Sequence, residues 1–388
     1  MLSFANLLIL SYNIFMPDMD GRFEIVFKSC SRNCACVCGH GMEMPLGQFS
    51  LAAVADRVCI ITEENPPECF SRILERLFPK PKNKLFYRLP HSENAKNLAE
   101  IEKLCIFLYE NGFSQNSVII AAGGGAITDS AGFAASVYMR GIRWISVPTT
   151  FLGQIDAGIG GKTGVDLRQD GMIRGKNIIG TFWQPAVIVL ETEFLESLPP
   201  EELRSGTGEL AKYALLMQPE EGRAIVNAIP GVLAGQPQAL GLCVQICAAM
   251  KARIAARDER DIYGIREKLN LGHTAGHAFE TMSGGRLPHG IAVACGLKFA
   301  IILSSEKEIL PKETAAEMLA LLSMLGLPPL ELKEADFSRF SELVSHDKKN
   351  RGAKNRFLLP KAFGIIETAE DIPDSLLKKA YIRTISGA

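Results

Sequence analysis

The segment SVIIAAGGGAITDSAGF, residues 117–133, constrains the fold of this chain more than any other stretch. An apolar run ends in Gly123, Gly124 and Gly125, and helix-forming residues follow at once. Glycines at such a junction let a backbone approach a pyrophosphate, and the helix N-terminus favours the negative charge. The spacing departs from G-x-G-x-x-G, so the run alone is equally typical of a structural turn, with Asp129 as a favourable first-turn acid.

Strand-like and helix-like segments alternate through the first half of the chain. Strand patterns cover residues 58–62, 84–89, 117–122 and 144–148, and helical apolar spacing covers 69–77 and 95–111. This order predicts an α/β domain with a parallel sheet, whose ligands lie at the carboxyl ends of the strands. Beyond about Leu190, long segments rich in Ala, Leu, Glu and Lys predict a mainly α-helical second domain. We place the two domains at residues 1–195 and 196–388.

Length and charge set broad limits on function. A chain of 388 residues is too long for one ordinary core, and 47% hydrophobic with 22% charged residues is typical of a globular protein. A formal net charge of -1 gives no general attraction to nucleic acid or to an anionic membrane, so neither is an expected partner. Any anionic ligand must therefore be held by locally placed cations.

One cluster of cysteines needs an interpretation. Cys30, Cys34, Cys36 and Cys38 lie close together, with His40 nearby. A zinc knuckle is one hypothesis, but C-x-C-x-C is not the paired spacing of a structural zinc site. Alternation with apolar residues indicates a β-strand instead, and we expect a reduced, cytoplasmic chain.

The N-terminal residues are apolar but lack a basic n-region and a cleavage site, and they are too short to span a bilayer. Met16 and Met19 follow closely. We expect residues 1–18 to precede the functional start, and a chain beginning at Met19 that lost activity would contradict this.

The histidines indicate a metal site. His273 and His277 are spaced i, i+4 and share one face of a helix, a spacing that zinc-binding helices use but that ordinary helices also show. Only six histidines occur in the chain, and His289 is a third close candidate, with Glu209 as a carboxylate on another helix. Three protein ligands with an open position would make a catalytic zinc site, but spacing alone does not choose among these four.

Several blocks together resemble the dehydroquinate synthase family. YMRG from Tyr138, PTTFLGQIDAGIGGKTGVD from Pro148 and GKNIIGTFWQP from Gly175 match its blocks in order. SGTGELAKYALL, KLNLGHTAGHAFE and the late HDKK continue the resemblance, which covers roughly residues 55–385. It implies a homodimer whose Rossmann-like NAD-binding domain precedes a helical metal-binding domain.

The resemblance implies two cofactors, NAD and a divalent metal, either zinc or cobalt. The matched NAD positions are Glu93, Lys96, Gly124, Gly125, Asp129, Thr149, Thr150 and Lys176. The matched metal ligands are Glu209, His273 and His289, whereas His277 matches a proton-transfer residue on the substrate side. Ser92 replaces the family's usual glycine in the turn that carries Glu93 and Lys96.

The implied substrate is 3-deoxy-D-arabino-heptulosonate 7-phosphate, which carries roughly three negative charges near neutral pH. The matched cations are Arg140, Lys162, Lys212, Lys251 and Arg266, with Lys348 or Lys349, and the matched hydroxyl-binding residues are Asp156, Asn177 and Asn270. Arginine grips such anions in a bidentate manner, and lysine supplies a compact charge. Each charge alone is typical of a solvated surface, so the prediction depends on their joint placement.

The implied reaction forms 3-dehydroquinate by transient oxidation with NAD, elimination of phosphate, re-reduction, ring opening and aldol closure. It is a phosphate lyase step of the shikimate pathway. We expect His277 and Asp261 to move protons, and Lys162, Arg266 and Asn270 to act at the reacting groups.

Three further features depart from the family pattern. Asp261 stands where glutamate is usual, and the stretch 165–177 is about five residues longer, which predicts a lengthened surface loop. Ile291 replaces a glutamate after His289, so metal binding would be weaker if that glutamate supports the ligand.

Three other functions stay open. A sister sugar-phosphate cyclase would act on a substrate without the carboxylate, a polyol dehydrogenase would consume NAD, and a non-catalytic regulator would only bind metal or nucleotide. Retention of Lys251, Arg266 and Asn270, which resemble the family's carboxylate-end residues, favours the acidic substrate.

Overall fold

The computed structural model describes residues 14–15, 23–28, 33–43, 51–79, 83–345 and 355–386. The chain divides into two compact units. The first comprises the described residues up to Pro199 together with Val244–Ile262, and the second comprises Pro200–Cys243 and the described residues from Tyr263 onward. The predicted division at residue 195 lies close to Pro199, but nothing in the sequence pattern predicts the inclusion of Val244–Ile262 in the first unit.

An eight-stranded sheet forms the first unit, and a separate two-stranded ribbon accompanies it. The strands are β1 Ile14–Phe15, β2 Phe23–Lys28, β3 Asn33–Gly39, β4 Val58–Glu63, β5 Lys84–Leu89, β6 Val118–Gly123, β7 Arg143–Pro148, β8 Lys162–Gln169, β9 Met172–Phe182 and β10 Val187–Glu191. The sheet order is β1-β2-β3-β10-β7-β6-β4-β5, and β8 pairs with β9. The six strands from β3 to β5 in this order run parallel, as predicted. β1 and β2 add an unpredicted antiparallel edge.

Helices pack on both faces of this sheet. They are α1 Leu51–Val54, α2 Phe70–Leu77, α3 Leu98–Glu110 and α4 Gly125–Val137. Along β6, Val118 and Ile120 pack in the core with α2, whereas Ile119 packs in the core with α3 and α4. Burial on both faces explains why the central strands are continuous apolar runs. The predicted helix over 95–111 begins at Leu98, because the side chain of Asn97 accepts a hydrogen bond from the first helical turn.

The cysteine cluster lies on a strand, as predicted. Cys34, Cys36 and Cys38 are buried on β3, and burial raises the pKa of the Cys34 and Cys38 thiols well above the usual range. Within the described residues, these thiols do not belong to any group that gathers three metal-ligating atoms. Cys30, Met16 and Met19 lie outside the described residues.

The stretch predicted as a lengthened surface loop is instead the β8–β9 ribbon. Asp170 and Gly171 connect the strands, with φ angles of 51° and 77°. Two successive left-handed residues are typical of the two-residue hairpin turn that Asp-Gly favours, a signal that the loop interpretation overlooked. Much of the ribbon is exposed, including Met172 and Ile178.

The second unit is mainly helical, as predicted. Its helices are α5 Pro200–Leu216, α6 Pro219–Leu233, the first part of α7 Pro237–Arg257, α8 His273–Met282, α9 His289–Glu306, α10 Lys312–Ser323, α11 Phe337–Ser345 and α12 Asp374–Ile385. An unpredicted hairpin, β11 Arg356–Ala362 and β12 Ile365–Glu370, accompanies them. By length and composition alone, α7 and α9 could each span a membrane. In their most apolar 18 residues, however, 50% of α7 and 78% of α9 are buried within the protein, and the value for α9 is typical of a core helix. Phe279, Phe299, Phe340 and Tyr381 form an aromatic core.

Candidate functional site

The glycine turn of the first unit leaves room for a ligand. β6 runs into α4 through Gly124, which is the N-cap of the helix and offers no side-chain cap. A Cβ atom at Gly124 would lie 3.2 Å from Cγ2 of Thr150, and one at Gly125 would lie 3.1 Å from Cβ of Ala157. Glycine at both positions keeps this narrow space open beside the uncapped N–H groups of the first turn. The turn therefore fits a pyrophosphate, the group that helix N-termini bind.

Two predicted NAD residues lie beside this turn. The backbone N–H of Thr149 donates to the carbonyl of Gly123 at 3.0 Å, so the carboxyl ends of β7 and β6 meet there. The hydroxyl of Thr150 accepts a hydrogen bond from the N–H of Gly153 at 3.1 Å. This is the edge of a parallel sheet at which ligands bind.

Four further predicted NAD residues form a charged group. Lys96 is buried, and its Nζ donates to Oδ2 of Asp129 at 2.6 Å. Burial opposes the charge on Lys96, but Asp129 and Glu93 outweigh it and raise the pKa of Lys96, so the ammonium persists at neutral pH. Lys176 lies close enough to Glu93 to interact with it electrostatically.

Sequence reasoning missed Glu63 at the same edge. Glu63 ends β4, the strand that pairs with β6. In dinucleotide-binding folds, an acid at the end of the strand next to the glycine turn hydrogen-bonds the ribose. Its Oε2 lies 2.5 Å from Nδ1 of His91, which is exposed. The signal available in the sequence was an acid that directly follows the first predicted strand.

Two predicted substrate cations of the first unit are ion-paired with two other predicted site residues. Lys251 donates to the carboxylate of Asp156 and, at 2.5 Å, to its backbone carbonyl. Nζ of Lys162 lies 2.5 Å from Oδ2 of Asp261, which has a φ of 55°. The structure thus brings these four residues together in pairs, and it gives Asp261 a cation as its partner.

The remaining predicted residues of the first unit are placed differently. Asn177 has a φ of 53°, and its N–H donates to Asp166 at 2.8 Å. Arg140 follows α4 at the end opposite the glycine turn, and thirteen helical residues span roughly 20 Å. Within the described part of the chain, Arg140 does not join the ion pairs above. Lys348 and Lys349 lie outside the described residues.

In the second unit, glycines let three helix backbones touch. A Cβ atom at Gly208 of α5 would lie 1.8 Å from the carbonyl oxygen of Gly290 in α9, and one at Gly290 would lie 1.8 Å from that of Ser205. A Cβ atom at Gly296 of α9 would lie 2.0 Å from the carbonyl oxygen of Gly272, which precedes α8. These distances are far below any contact that a real Cβ makes, so other residues would force the helices apart.

This packing brings together the three predicted metal ligands. Oε1 of Glu209 lies 3.3 Å from Nε2 of His273 and 3.6 Å from Nε2 of His289. One ligand atom from each residue falls within a group whose members all lie within 4.8 Å of one another. One carboxylate and two imidazoles form a donor set that fits zinc or a similar divalent metal and leaves a coordination position open.

The protonation states of these ligands differ. Burial opposes ionisation of Glu209, but Lys212 and His273 outweigh it and hold the pKa of Glu209 well below the usual range. Burial lowers the pKa of His273, so its imidazole is neutral at neutral pH. Although burial opposes a charge on His289, the Glu209 and Glu280 carboxylates raise the pKa of His289 to about 9. A metal at this site would therefore displace a proton from His289.

Hydrogen bonds orient both imidazoles. Nδ1 of His273 lies 3.2 Å from the carbonyl oxygen of Leu271, and Nδ1 of His289 lies 3.0 Å from Oε2 of Glu280. Because Nδ1 is engaged in each ring, Nε2 is left to face Glu209. Sequence reasoning missed Glu280, although it lies seven residues after His273 and hence on the same helical face.

The departure at Ile291 is explained by the same geometry. Ile291 is buried in α9. The carboxylate that supports His289 comes from Glu280 in α8, so a carboxylate already serves this ligand without one at position 291.

Lys212 and His277 flank the metal ligands. Lys212 is buried, and its Nζ lies 2.7 Å from Oε2 of Glu209. His277 is exposed, and its ring centroid lies 5.4 Å from that of His273 and 5.8 Å from that of His289. His277, Glu280 and His289 also form a second group with metal-ligating atoms close together.

The remaining predicted residues lie on the turn before α8. Arg266 is buried, and Nδ2 of Asn270 donates to the carbonyl of Glu267 at 3.1 Å. Arg356, on β11, donates from Nη1 and Nη2 to the two carboxylate oxygens of Glu267, and the Nη2 bond is 2.8 Å long. This bidentate pair fixes the turn that carries Arg266 and Asn270.

Comparison with known protein families gives two adjoining matches. Residues 86–205 match the family model described as 3-dehydroquinate synthase N-terminal, and residues 206–350 match the one described as 3-dehydroquinate synthase C-terminal. A 3-dehydroquinate synthase from Alkaliphilus metalliredigens is 33% identical over 353 residues, which cover 88% of this chain and 94% of the relative. One from Acidithiobacillus ferrooxidans is 35% identical over 343 residues, covering 87% and 92%.

Solved structures share the fold. The chain superposes on 2-deoxy-scyllo-inosose synthase complexed with carbaglucose-6-phosphate, NAD+ and Co2+ with a TM-score of 0.80, at 22% identity and covering 94% of this chain and 100% of that one. With 2-epi-5-epi-valiolone synthase from Streptomyces hygroscopicus, bound to NAD+ and Zn2+, the TM-score is 0.76 at 22% identity, covering 93% and 98%.

Proposed function

Because the chain belongs to the 3-dehydroquinate synthase family, we propose that it converts 3-deoxy-D-arabino-heptulosonate 7-phosphate into 3-dehydroquinate and phosphate. The net reaction is the loss of phosphate from carbon, so the enzyme is a carbon–oxygen lyase of the shikimate pathway. The observation that carries this proposal is the convergence of Glu209, His273 and His289 on one point.

The three convergent ligands suit a catalytic metal, either zinc or cobalt. Bound there, the metal would supply a Lewis acid that acidifies a substrate hydroxyl. Glu209 is ionised and His273 is neutral before the metal arrives, so both are ready to bind it. Glu280 holds His289 in the orientation that ligation needs.

The glycine turn suits the pyrophosphate of NAD. Bound there, NAD would supply an acceptor that takes a hydride from the substrate and later returns it. Gly124 and Gly125 admit the pyrophosphate to the N-terminus of α4, and Thr149 and Thr150 line the neighbouring strand end. Glu93, Lys96, Asp129 and Lys176 form the adjoining charged wall.

The substrate anion requires cations, and each unit offers them. In the first unit Lys162 and Lys251 are held by carboxylates, and in the second Arg266 and Lys212 are buried. We assign Lys251, Arg266 and Asn270 to the substrate's carboxylate end. Asp156 and Asn177 would bind hydroxyls, with Arg140 and Lys348 or Lys349 as further cations.

His277 is the residue that we propose moves protons. It is exposed and lies beside the rings of His273 and His289, so it can exchange protons with substrate and water. Asp261 is a weaker candidate, because its carboxylate is already engaged in an ion pair with Lys162.

We also propose a cytoplasmic homodimer. The position of Arg140, at the far end of α4 from the glycine turn, supports an arrangement in which this arginine serves the site of a second copy. Light scattering gives the mass in solution. Mixing Arg140→Ala chains with inactive His273→Ala chains should then restore activity if Arg140 acts across the dimer.

The function is tested by incubating the full chain with heptulosonate phosphate, catalytic NAD and zinc. We expect phosphate and 3-dehydroquinate in equal amounts, no net NADH, and loss of both products with a chelator. Phosphate with another cyclic product would indicate a sister cyclase, and stoichiometric NADH would indicate a dehydrogenase. The absence of turnover with NAD and metal both bound would contradict the proposal.

A further inference from the structure

The turn Ser92–Ala95 presents two proposed NAD residues, Glu93 within it and Lys96 directly after it. It is a short 3₁₀ turn with Ser92 at its start, and Ser92 has a φ of 58°. A residue with a Cβ atom in this left-handed region is about 1–2 kcal/mol less stable than in its usual conformations. Such a turn holds its shape only when its surroundings fix it.

The end of the turn near Lys96 is fixed by β8 of the ribbon and by α4. The hydroxyl of Ser130 donates to the carbonyl of Ala95 at 3.0 Å, and the N–H of Asp166 donates to the carbonyl of Lys96 at 3.2 Å. The ion pair of Lys96 with Asp129 adds a third bond. Each partner lies on α4 or β8, elements that the core holds in place.

The end near Ser92 is held by a side chain from the ribbon. Nη2 of Arg168, on β8, donates to the carbonyl of Glu93 at 2.6 Å. The same carbonyl accepts the N–H of Lys96 at 3.1 Å, so the arginine adds a charge-assisted bond to the bond that closes the turn. Nε of Arg168 is buried and finds no hydrogen-bond partner among the described residues.

We propose that Arg168 is a positioning residue for NAD. It fixes the carbonyl of Glu93, and so keeps the Ser92–Ala95 turn in the conformation that presents Glu93 and Lys96 to the nucleotide. This inference rests on the proposed function, because it assumes that the glycine turn binds NAD. It assigns a functional role to the β8–β9 ribbon, which supplies the arginine.

The test measures NAD binding to the zinc-loaded full chain by titration calorimetry. Removal of one charge-assisted bond at a partly exposed site should weaken NAD binding by Arg168→Ala roughly tenfold. Arg168→Lys keeps one donor, and its NAD affinity should fall only roughly threefold. Arg174→Ala is the matched control, because it removes the same charge from an exposed position of the same ribbon and should change NAD affinity less than about twofold.

Steady-state kinetics separate positioning from a general structural role. In Arg168→Ala, KM for NAD should rise, while kcat at saturating NAD, KM for the sugar phosphate and zinc content should stay within about twofold of wild type. The inference fails if Arg168→Ala binds NAD as wild type does, if Arg174→Ala loses as much, or if zinc and substrate binding fall together with NAD binding. A wild-type chain that binds no NAD would instead overturn the proposed function and this inference with it.

Discussion

The two units hold their proposed functional side chains by different means. In the first unit, charged side chains from different elements form ion pairs, as Lys162 at the start of β8 does with Asp261 after α7. In the second unit, the ligands have short reach and depend on backbones that touch at Gly208 and Gly290. An ion pair with an exposed lysine can rearrange around a ligand at little cost in free energy. A contact between two helix backbones leaves no room for an added side-chain atom.

The difference suits the two tasks. An anionic substrate must bind and then dissociate. The lysines of the first unit therefore benefit from ion pairs that can open when the substrate binds and re-form when it leaves. A metal needs ligand atoms at distances fixed to within about 0.2 Å. Substitutions in the second unit should therefore have larger effects than those at the ion pairs of the first.

The largest effect is expected for His273→Ala. Loss of this ligand removes one of three donors, so the variant should lose bound zinc and at least about 10³-fold in kcat. His40→Ala is the control, since His40 is exposed in the first unit and pairs with Glu196. Metal analysis and phosphate release measure both changes. A zinc-free variant with wild-type turnover would contradict the assignment of His273 as a ligand of a catalytic metal.

A smaller but more specific effect is expected for Gly208→Ala. The new Cβ would meet the carbonyl oxygen of Gly290, so α5 and α9 must separate, at a cost of about 1–3 kcal/mol in unfolding free energy. Zinc affinity should fall with it. Gly241→Ala, on α7 with no atom within 4 Å of its Cβ position, should instead stabilise the chain by about 0.5–1 kcal/mol. Denaturant unfolding measures both changes in unfolding free energy, which should have opposite signs. Equal changes would show that the backbone contact at Gly208 does not limit the size of this residue.

The sequence predicted the parts of the molecule that local pattern controls. The parallel strands and the helices at 69–77 and near 98–110 follow from apolar runs and from the Asn97 cap. The β8–β9 ribbon was missed because a family-length comparison outweighed the Asp-Gly turn signal. The partner of His289 was missed because Glu280 reads as an ordinary helix acid until α8 and α9 are packed. Likewise, the sequence alone does not show why Gly272 and Gly276 flank His273. Only the structure shows that the neighbouring helix α9 packs closely against both positions.

An intermediate effect is expected for Glu280→Gln. The glutamine keeps the size of the side chain but loses the charge that orients His289, so zinc affinity should fall roughly 10–100-fold with little change in unfolding free energy. Glu317→Gln, on the exposed face of α10, is the matched control. Competition with a fluorescent chelator measures the affinity. A variant that binds zinc as tightly as wild type would show that the Glu280 contact does not orient the ligand.

The smallest effect is expected for Asp261→Asn, which also decides between two roles. Lys162 is 48% exposed, so its ion pair with Asp261 contributes no more than about 1 kcal/mol, and freeing the lysine should lower KM for the sugar phosphate by up to about fivefold. If Asp261 instead accepts a proton in the reaction, kcat should fall by about 10²-fold or more, because asparagine cannot act as a base. Asp170→Asn, in the ribbon turn, is the control for the loss of one negative charge. A lower KM with unchanged kcat would identify Asp261 as the resting partner of Lys162, and it would extend the contrast between adaptable pairs in the first unit and fixed packing in the second.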